Sequence, residues 1–280
     1  MIKAILLDID GTLTDDRKRI TPETKKALLK AQAAGIRLII ASGRPPRGLR
    51  RFAEELDMYD NRGLFICYNG AEVITCGTEE TLFSVPMRPE ESKAVLQHLK
   101  QFDVVPVIMH GRYAYLPNAY KGNMIDNGKG TVFNVIDYEV HSNGYLIREC
   151  ADMAEEIGFP VKKILTAGDP AYLKEHYMEM DEPFRDTLSC MFTAPFYYEF
   201  TAKGIDKAKA IEATLKHIGC TREELMAFGD AQNDRSMIAY AGIGVAMGNA
   251  VDEVKEAAGY VTLDNNHDGI AHALHHFLGI

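Results

Sequence analysis

The chain lacks what several large classes of protein require. Cysteine occurs five times in 280 residues, at Cys67, Cys76, Cys150, Cys190 and Cys220, with no CxxC pair. An odd, scattered set argues against a disulfide framework and fits a reducing cytoplasm. No apolar run approaches the roughly 18–20 residues that a membrane span needs. The first apolar stretch, Ile2 to Leu7, runs straight into acids and does not read as a signal peptide. Positive charge is in short supply too: 31 Lys+Arg against 40 Asp+Glu give a net charge of −9. Nucleic-acid binding depends on clustered cations that neutralise phosphates, so this balance argues against it. What is present is ordinary for a globular chain, 46% hydrophobic and 25% charged, and the length suggests about two domains. The expectation is a cytoplasmic protein with no nucleic-acid or membrane partner, monomeric or a small homo-oligomer.

The first 85 residues alternate between strand and helix signals. Ala4 to Leu7 is an unbroken apolar run of strand length, as in a parallel sheet covered on both faces. Thr21-Pro22 supplies an N-cap and a first-turn proline, Ala27, Leu28, Ala31 and Ala34 form a helical stripe, and Gly35 ends it. Ile36–Ala41 is a second strand, Pro45–Leu56 a helix, and Leu64–Tyr68 a third strand closed by Asn69-Gly70. The last 80 residues repeat the rhythm, with strands at Leu225–Gly229, Ile243–Ala246 and Tyr260–Leu263 and helices at Asp206–His217, Arg235–Ala241 and Val251–Ala258 and from His267. This alternation predicts a doubly wound, Rossmann-like α/β core with a parallel sheet. The middle of the chain breaks the rhythm and reads as an inserted α+β domain. We place the core at 1–84 and 195–280 and the insertion at 85–194.

Chemistry-bearing residues fall at the ends of the core strands. The first strand runs into Asp8-Ile9-Asp10-Gly11-Thr12, at the carboxyl end where open α/β sheets form their ligand crevice. Positions i and i+2 of a strand point the same way, so Asp8 and Asp10 can meet at one site. Two carboxylates that close need a cation or a shared proton, and hard oxygen ligands favour Mg2+. The second strand ends in Ser42-Gly43-Arg44, where a hydroxyl and backbone amides suit an anion. Lys207 opens a helix, a position that disfavours cations unless negative charge offsets it. Gly229-Asp230-Ala231-Gln232-Asn233-Asp234 ends another strand with acids and an amide, where a lone Asp is most often a helix N-cap. His272, His275 and His276 have spacing that could bind a metal, but no third ligand type lies near in sequence, so an ordinary surface helix is the simpler reading.

Taken together, the four segments resemble the haloacid dehalogenase-like hydrolase superfamily, and within it the Cof-type sugar phosphatases with a type-2 (C2B) cap. The resemblance runs through DxDGT at Asp8–Thr12, Ser42–Arg44, Lys207 and GDxxND at Gly229–Asp234, with Asn69-Gly70-Ala71 and Val245–Ala250 adding to it. Ala208 departs from the branch, which usually has Gly after the lysine. The resemblance implies a Mg2+-dependent phosphatase for small phosphate monoesters, sugar phosphates or phosphorylated cofactors, acting through an aspartyl-phosphate. Asp8 would be the nucleophile and Asp10 the general acid and base, with a pKa raised by Asp8 and by desolvation. Asp8, Asp230 and the Asp10 carbonyl would hold the metal, and Ser42, Gly43, Lys207 and Asn233 the phosphoryl group. Asp234 would fix Lys207, and Arg44 could face the substrate. The insertion would be a cap, with His110, Arg112 and Lys121 as candidate substrate readers. Two alternatives remain open at this point: a phosphomutase, and a phospho-aspartate signalling switch, which would have no use for Asp10 or for the insertion.

Overall fold

The structure, a computed structural model, describes residues 1–120, 124–126 and 130–280; Lys121 lies outside them. The chain divides into two units, Met1–Ser84 with Asp206–Ile280, and Val85–Ile205.

In the first unit the chain forms β1 (Ala4–Leu7), β2 (Arg37–Ala41), β3 (Leu64–Cys67), β4 (Glu72–Thr75) and β5 (Thr81–Ser84), and later β14 (Leu225–Gly229), β15 (Ile243–Ala246) and β16 (Tyr260–Val261). These build one eight-stranded sheet in the order β16-β15-β14-β1-β2-β3-β4-β5. From β16 to β3 every pairing is parallel, while β4 and β5 add an antiparallel edge that the sequence pattern did not reveal. Ala4 and Leu6 join a core cluster with Ile39, Ala41, Leu64 and Ile66, which packs against Ala210 and Ile211 of the helix Lys207–Ile218. Ile5, Leu7, Leu38 and Ile40 point to the other face and are equally buried. Both faces are therefore covered, which explains why the first strands read as unbroken apolar runs. The segment expected as one helix over Pro45–Leu56 is a 3-10 turn, Pro46–Leu49, followed by a short α-helix, Arg50–Glu55. Its first turn closes in the tighter pattern, the Gly48 amide donating to the Pro45 carbonyl at 3.0 Å.

The second unit contains β6 (Val105–His110), β7 (Tyr113–Leu116), β8 (Met124–Asp126), β9 (Val132–Asn134), β10 (Leu146–Glu149), β11 (Lys163–Ala167), β12 (Leu188–Ala194) and β13 (Tyr197–Ala202). Six of them form a mixed sheet, β10-β7-β6-β11-β13-β12, and β8 pairs with β9. Val95, Leu96 and Leu99 from the helix Pro89–Leu99 and Leu173 from Pro170–Asp181 pack with Ile108, Ile164 and Phe200. Val135 and Ile136, from the helix Val135–Asn143, pack with Val107, Leu116 and Leu165. This unit leaves at Ile205 rather than near Pro195, because Pro195-Phe196 is the turn of a hairpin. The strand beyond it, β13, is buried along its whole length and pairs with both β11 and β12. Among the described residues no helix is long and apolar enough to cross a membrane, and none of the five cysteines is in a disulfide.

Candidate active site

The strand order reverses at β1, which has β2 on one side and β14 on the other. In such sheets the crevice opens beyond the carboxyl ends of the strands at this point. Asp8 follows β1 directly, and its amide donates to the Phe228 carbonyl of β14. Its parity with Ala4 and Leu6 aims it at the face covered by the helix Lys207–Ile218. On that helix Lys207, Ala210, Ile211 and Thr214 form one buried stripe, so the lysine points inward at the helix start. The Asp206 side chain caps the helix, accepting from the amides of Ala208 at 2.8 Å and Lys209 at 3.2 Å. Lys207 is thereby placed with its Nζ 2.7 Å from Asp8 Oδ1 and 2.6 Å from Asp234 Oδ1, its side chain fully enclosed. Burial alone would lower the lysine's pKa, but the two carboxylates overrule it and hold the ammonium protonated.

Asp234 uses its other oxygen to accept from the amides of Asp230 and Ala231, each at 3.1 Å, which folds the loop after β14 back on itself. Asp230 Oδ1 accepts from the Thr12 hydroxyl at 2.8 Å. Asn249 Nδ2 donates to the Gly11 carbonyl at 2.8 Å and lies 3.5 Å from Asp230 Oδ2. Gly11 has φ +87°, and a Cβ there would overlap the Asp230 carboxylate. Asp8, Asp230 and Asp234 offer oxygens all within 4.8 Å of one another. Three carboxylates against the one ammonium of Lys207 leave two negative charges when all are ionised. Burial and the neighbouring Asp234 charge raise the pKa of Asp8, and burial pushes Asp230 up to about 6. Hard oxygen donors with an unmatched double negative charge fit a divalent cation.

Asp10 departs from expectation. The structure does not bring its carboxylate into that cluster. Arg44 grips it with Nε at 3.1 Å from Oδ2 and Nη2 at 2.9 and 2.8 Å from the two oxygens, and Lys18 Nζ adds a contact of 2.7 Å. Burial pulls its pKa upward, but Arg44 and Lys18 outweigh burial and hold the carboxyl below its ordinary value, where a raised one was expected.

Ser42 is buried, and its Oγ accepts from the Arg44 amide at 3.3 Å. Asn69 ties the remaining segments together: its amide donates to the Ser42 carbonyl at 3.0 Å, and its Oδ1 accepts from Asn233 Nδ2 at 3.0 Å. A Cβ on Gly43 would come within 3.1 Å of Asn69 Nδ2, so a larger residue there would have to displace that amide. Tyr68, Asn69 and Gly70 take left-handed backbone in succession, with φ of 52°, 56° and 106°. Such strain persists only where surrounding structure fixes it, and here Gly70 lies against the Asp206 carbonyl at the start of the lysine helix. Thr12, Lys18, Asn69 and Asn249 were not assigned from the sequence. Three of them sit in segments that carried the family resemblance; Lys18 gave no signal.

Other candidates have ordinary surroundings. The His110 ring stacks on Phe159 at 3.8 Å, and the exposed Arg112 accepts at its backbone carbonyl from the Leu146 amide. His272 shares a hydrogen bond with the Thr262 hydroxyl, and His276 stacks on Tyr260, while His275 stands exposed.

Known proteins resemble this chain along nearly its whole length. The sequence model of the haloacid dehalogenase-like hydrolases matches residues 5–274. The chain is 30% identical over 278 residues to the 5-amino-6-(5-phospho-D-ribitylamino)uracil phosphatase YcsE of Bacillus subtilis, covering 99% of this chain and 96% of that protein. A haloacid dehalogenase-like hydrolase from Bacteroides thetaiotaomicron superposes with a TM-score of 0.89 at 34% identity, over 99% of this chain and all of the other. The subclass IIB sugar phosphatase BT4131 superposes with a TM-score of 0.77 at 30% identity, again over 99% of this chain and all of the other. With a family match spanning nearly its whole length, the chain belongs to the haloacid dehalogenase-like hydrolases, of Cof type, and is a phosphoric monoester hydrolase.

Proposed function

We propose that the protein is a Mg2+-dependent phosphatase that hydrolyses a small sugar phosphate or phosphorylated cofactor through an aspartyl-phosphate on Asp8. The observation that carries this reading is the buried chain Asp234–Lys207–Asp8 beside Asp230, at the switch point of the sheet. Lys207 holds Asp8 Oδ1, which orients the other oxygen for attack on phosphorus. The P–O bond to the leaving alcohol breaks as the Asp8–phosphorus bond forms, and water then releases inorganic phosphate and regenerates the carboxylate. Mg2+ held by Asp8, Asp230 and the Asp10 carbonyl would supply charge neutralisation for the phosphoryl oxygens. Ser42, the Gly43 amide, Lys207 and Asn233 would bind those oxygens as charge redistributes on transfer. Asp10 would deliver the proton to the leaving alcohol, for which its contacts to Arg44 and Lys18 must give way. A phosphate ester is a direct competitor for the guanidinium.

The unit Val85–Ile205 would be a cap that reads the leaving group. It is inserted between the segments that carry Ser42 and Lys207. YcsE is named for a ribitylaminouracil phosphate and BT4131 for sugar phosphates; phosphorylated polyols and sugars are therefore the first substrates to test. The experiment is inorganic phosphate release from a panel of sugar phosphates, nucleotides and pyridoxal phosphate, with Mg2+ and with EDTA. Release on a few sugar or polyol phosphates that EDTA abolishes supports the proposal. Release that EDTA leaves intact, or none from any compound, overturns it.

A further inference from the structure

At the end of the eight-stranded sheet away from Asp8, the same unit holds a cavity of about 440 Å3. Arg37, the first residue of β2, and Leu64, the first of β3, lie on its lining, with Thr75 at the end of β4. His217 and Ile218, the last residues of the helix Lys207–Ile218, complete one side. That helix starts at Lys207, the residue that bonds Asp8, and at about 1.5 Å per residue its far end lies roughly 16 Å from its start.

Two arginines are among its lining residues, the half-buried Arg37 and the exposed Arg62. Burial depresses the Arg37 pKa; Cys220 opposes that shift and the nearby Arg62 charge adds to it. Among the described residues neither guanidinium has an ion pair, although the chain carries 40 acids against 31 basic residues. Among the described residues Glu80 is the one carboxylate on the lining, so the charged liners sum to a positive excess. Like charges left together raise the free energy unless an anion lies between them. Arg62 is also held in left-handed backbone, φ 57°, although Asn61 and Gly63 beside it are the residue types that accept that conformation readily. Tyr59 and Thr78 add hydroxyls to the same lining.

We propose that this cavity is a second anion site, separate from the Asp8 cluster, which takes a phosphoryl dianion between Arg37 and Arg62. The dianion comes either from a small phosphorylated metabolite or from inorganic phosphate, and the volume admits the former. Arginine pairs bind phosphate in this way because the planar fork matches two oxygens at once.

The test uses the full chain in EDTA. Crystals are soaked in tungstate, a phosphoryl mimic located by its anomalous scattering, and phosphate binding is measured by equilibrium dialysis. Anomalous density between Arg37 and Arg62 is expected. Arg62→Gly should weaken phosphate binding at this site by about tenfold or more. Because glycine relieves the left-handed backbone, that variant should melt no lower than the parent. Dialysis with glucose 6-phosphate in an Asp8→Asn background separates the sources. Tighter binding than inorganic phosphate identifies an organic phosphate, and equal binding identifies phosphate itself. Absence of density at the pair, or unchanged phosphate binding in Arg62→Gly, overturns the proposal.

Discussion

Lys207 Nζ lies 2.7 Å from Asp8 Oδ1 across 199 residues of sequence, and the same ammonium holds Asp234 at 2.6 Å. Removing one partner of a buried charge pair is costly because the other charge stays behind without compensation. Lys207→Met leaves two such carboxylates. It should lower unfolding free energy by about 3–5 kcal/mol in denaturant titrations. Phosphate release should fall by at least about a hundredfold. A variant within about 1 kcal/mol of the parent would show that the lysine does not carry this charge balance.

Asp8→Asn should separate stability from activity. The folded-state pKa of Asp8 is raised by burial and by Asp234, and for an acid a raised value means that ionisation costs stability above the unfolded pKa. In EDTA at neutral pH the amide should therefore match or exceed the parent in melting temperature, while turnover falls by at least about a thousandfold. Adding Mg2+ should raise the parent's melting temperature more than the variant's, since ligand that binds only the native state stabilises it. A parent that shows no Mg2+ shift in differential scanning fluorimetry would contradict the metal assignment.

Gly11→Ala tests the fit of the first loop against the second acid. With φ +87° and the Asp230 carboxylate in the way of a Cβ, the substitution should cost about 1–3 kcal/mol. It should also raise the Mg2+ concentration needed for half-maximal activity. A melting curve that overlays the parent's would show that the loop relaxes freely.

Asn249→Ala should leave the fold intact, because this side chain is exposed and its bonds among the described residues are to loop groups: the Gly11 carbonyl, Asp230 and the Asn265 amide. Groups that orient a metal's carboxylates typically contribute 10- to 100-fold in affinity, so the Mg2+ requirement should rise by about tenfold. An unchanged requirement, measured by Mg2+ titration of phosphate release, would remove Asn249 from the site.

Much of this site could be read from the sequence because its residues sit where a simple rule puts them. The run Ala4–Leu7 had to be a strand buried on both faces, and Asp8 had to follow at its carboxyl end. Lys207 taken alone reads as a cation at an unfavourable helix start; the family resemblance marks it, and the structure shows it in a buried stripe with Ala210, Ile211 and Thr214. What could not be read depends on contacts between segments far apart in the chain. The Arg44–Asp10 pair joins two loops 34 residues apart, and only its geometry shows that the carboxylate faces two cations. Pro195 looked like a boundary because proline breaks regular structure, yet here it turns a hairpin whose second strand is buried within the sheet. Helix Val135–Asn143 carried its own signal: the Asn134 side chain accepts from the amides of Ile136 and Asp137, and Gly144 ends the helix.

A covalent phosphoryl group forming on Asp8 is the step on which the proposed hydrolysis turns. Protein incubated with a turned-over substrate and Mg2+ is quenched in acid, reduced with borohydride, and its peptides are sequenced by mass spectrometry. Reduction converts an aspartyl-phosphate to homoserine, so the account predicts homoserine at position 8, appearing only with substrate and Mg2+. An unmodified Asp8 in a preparation that releases phosphate steadily, or the label at another acid, would contradict it.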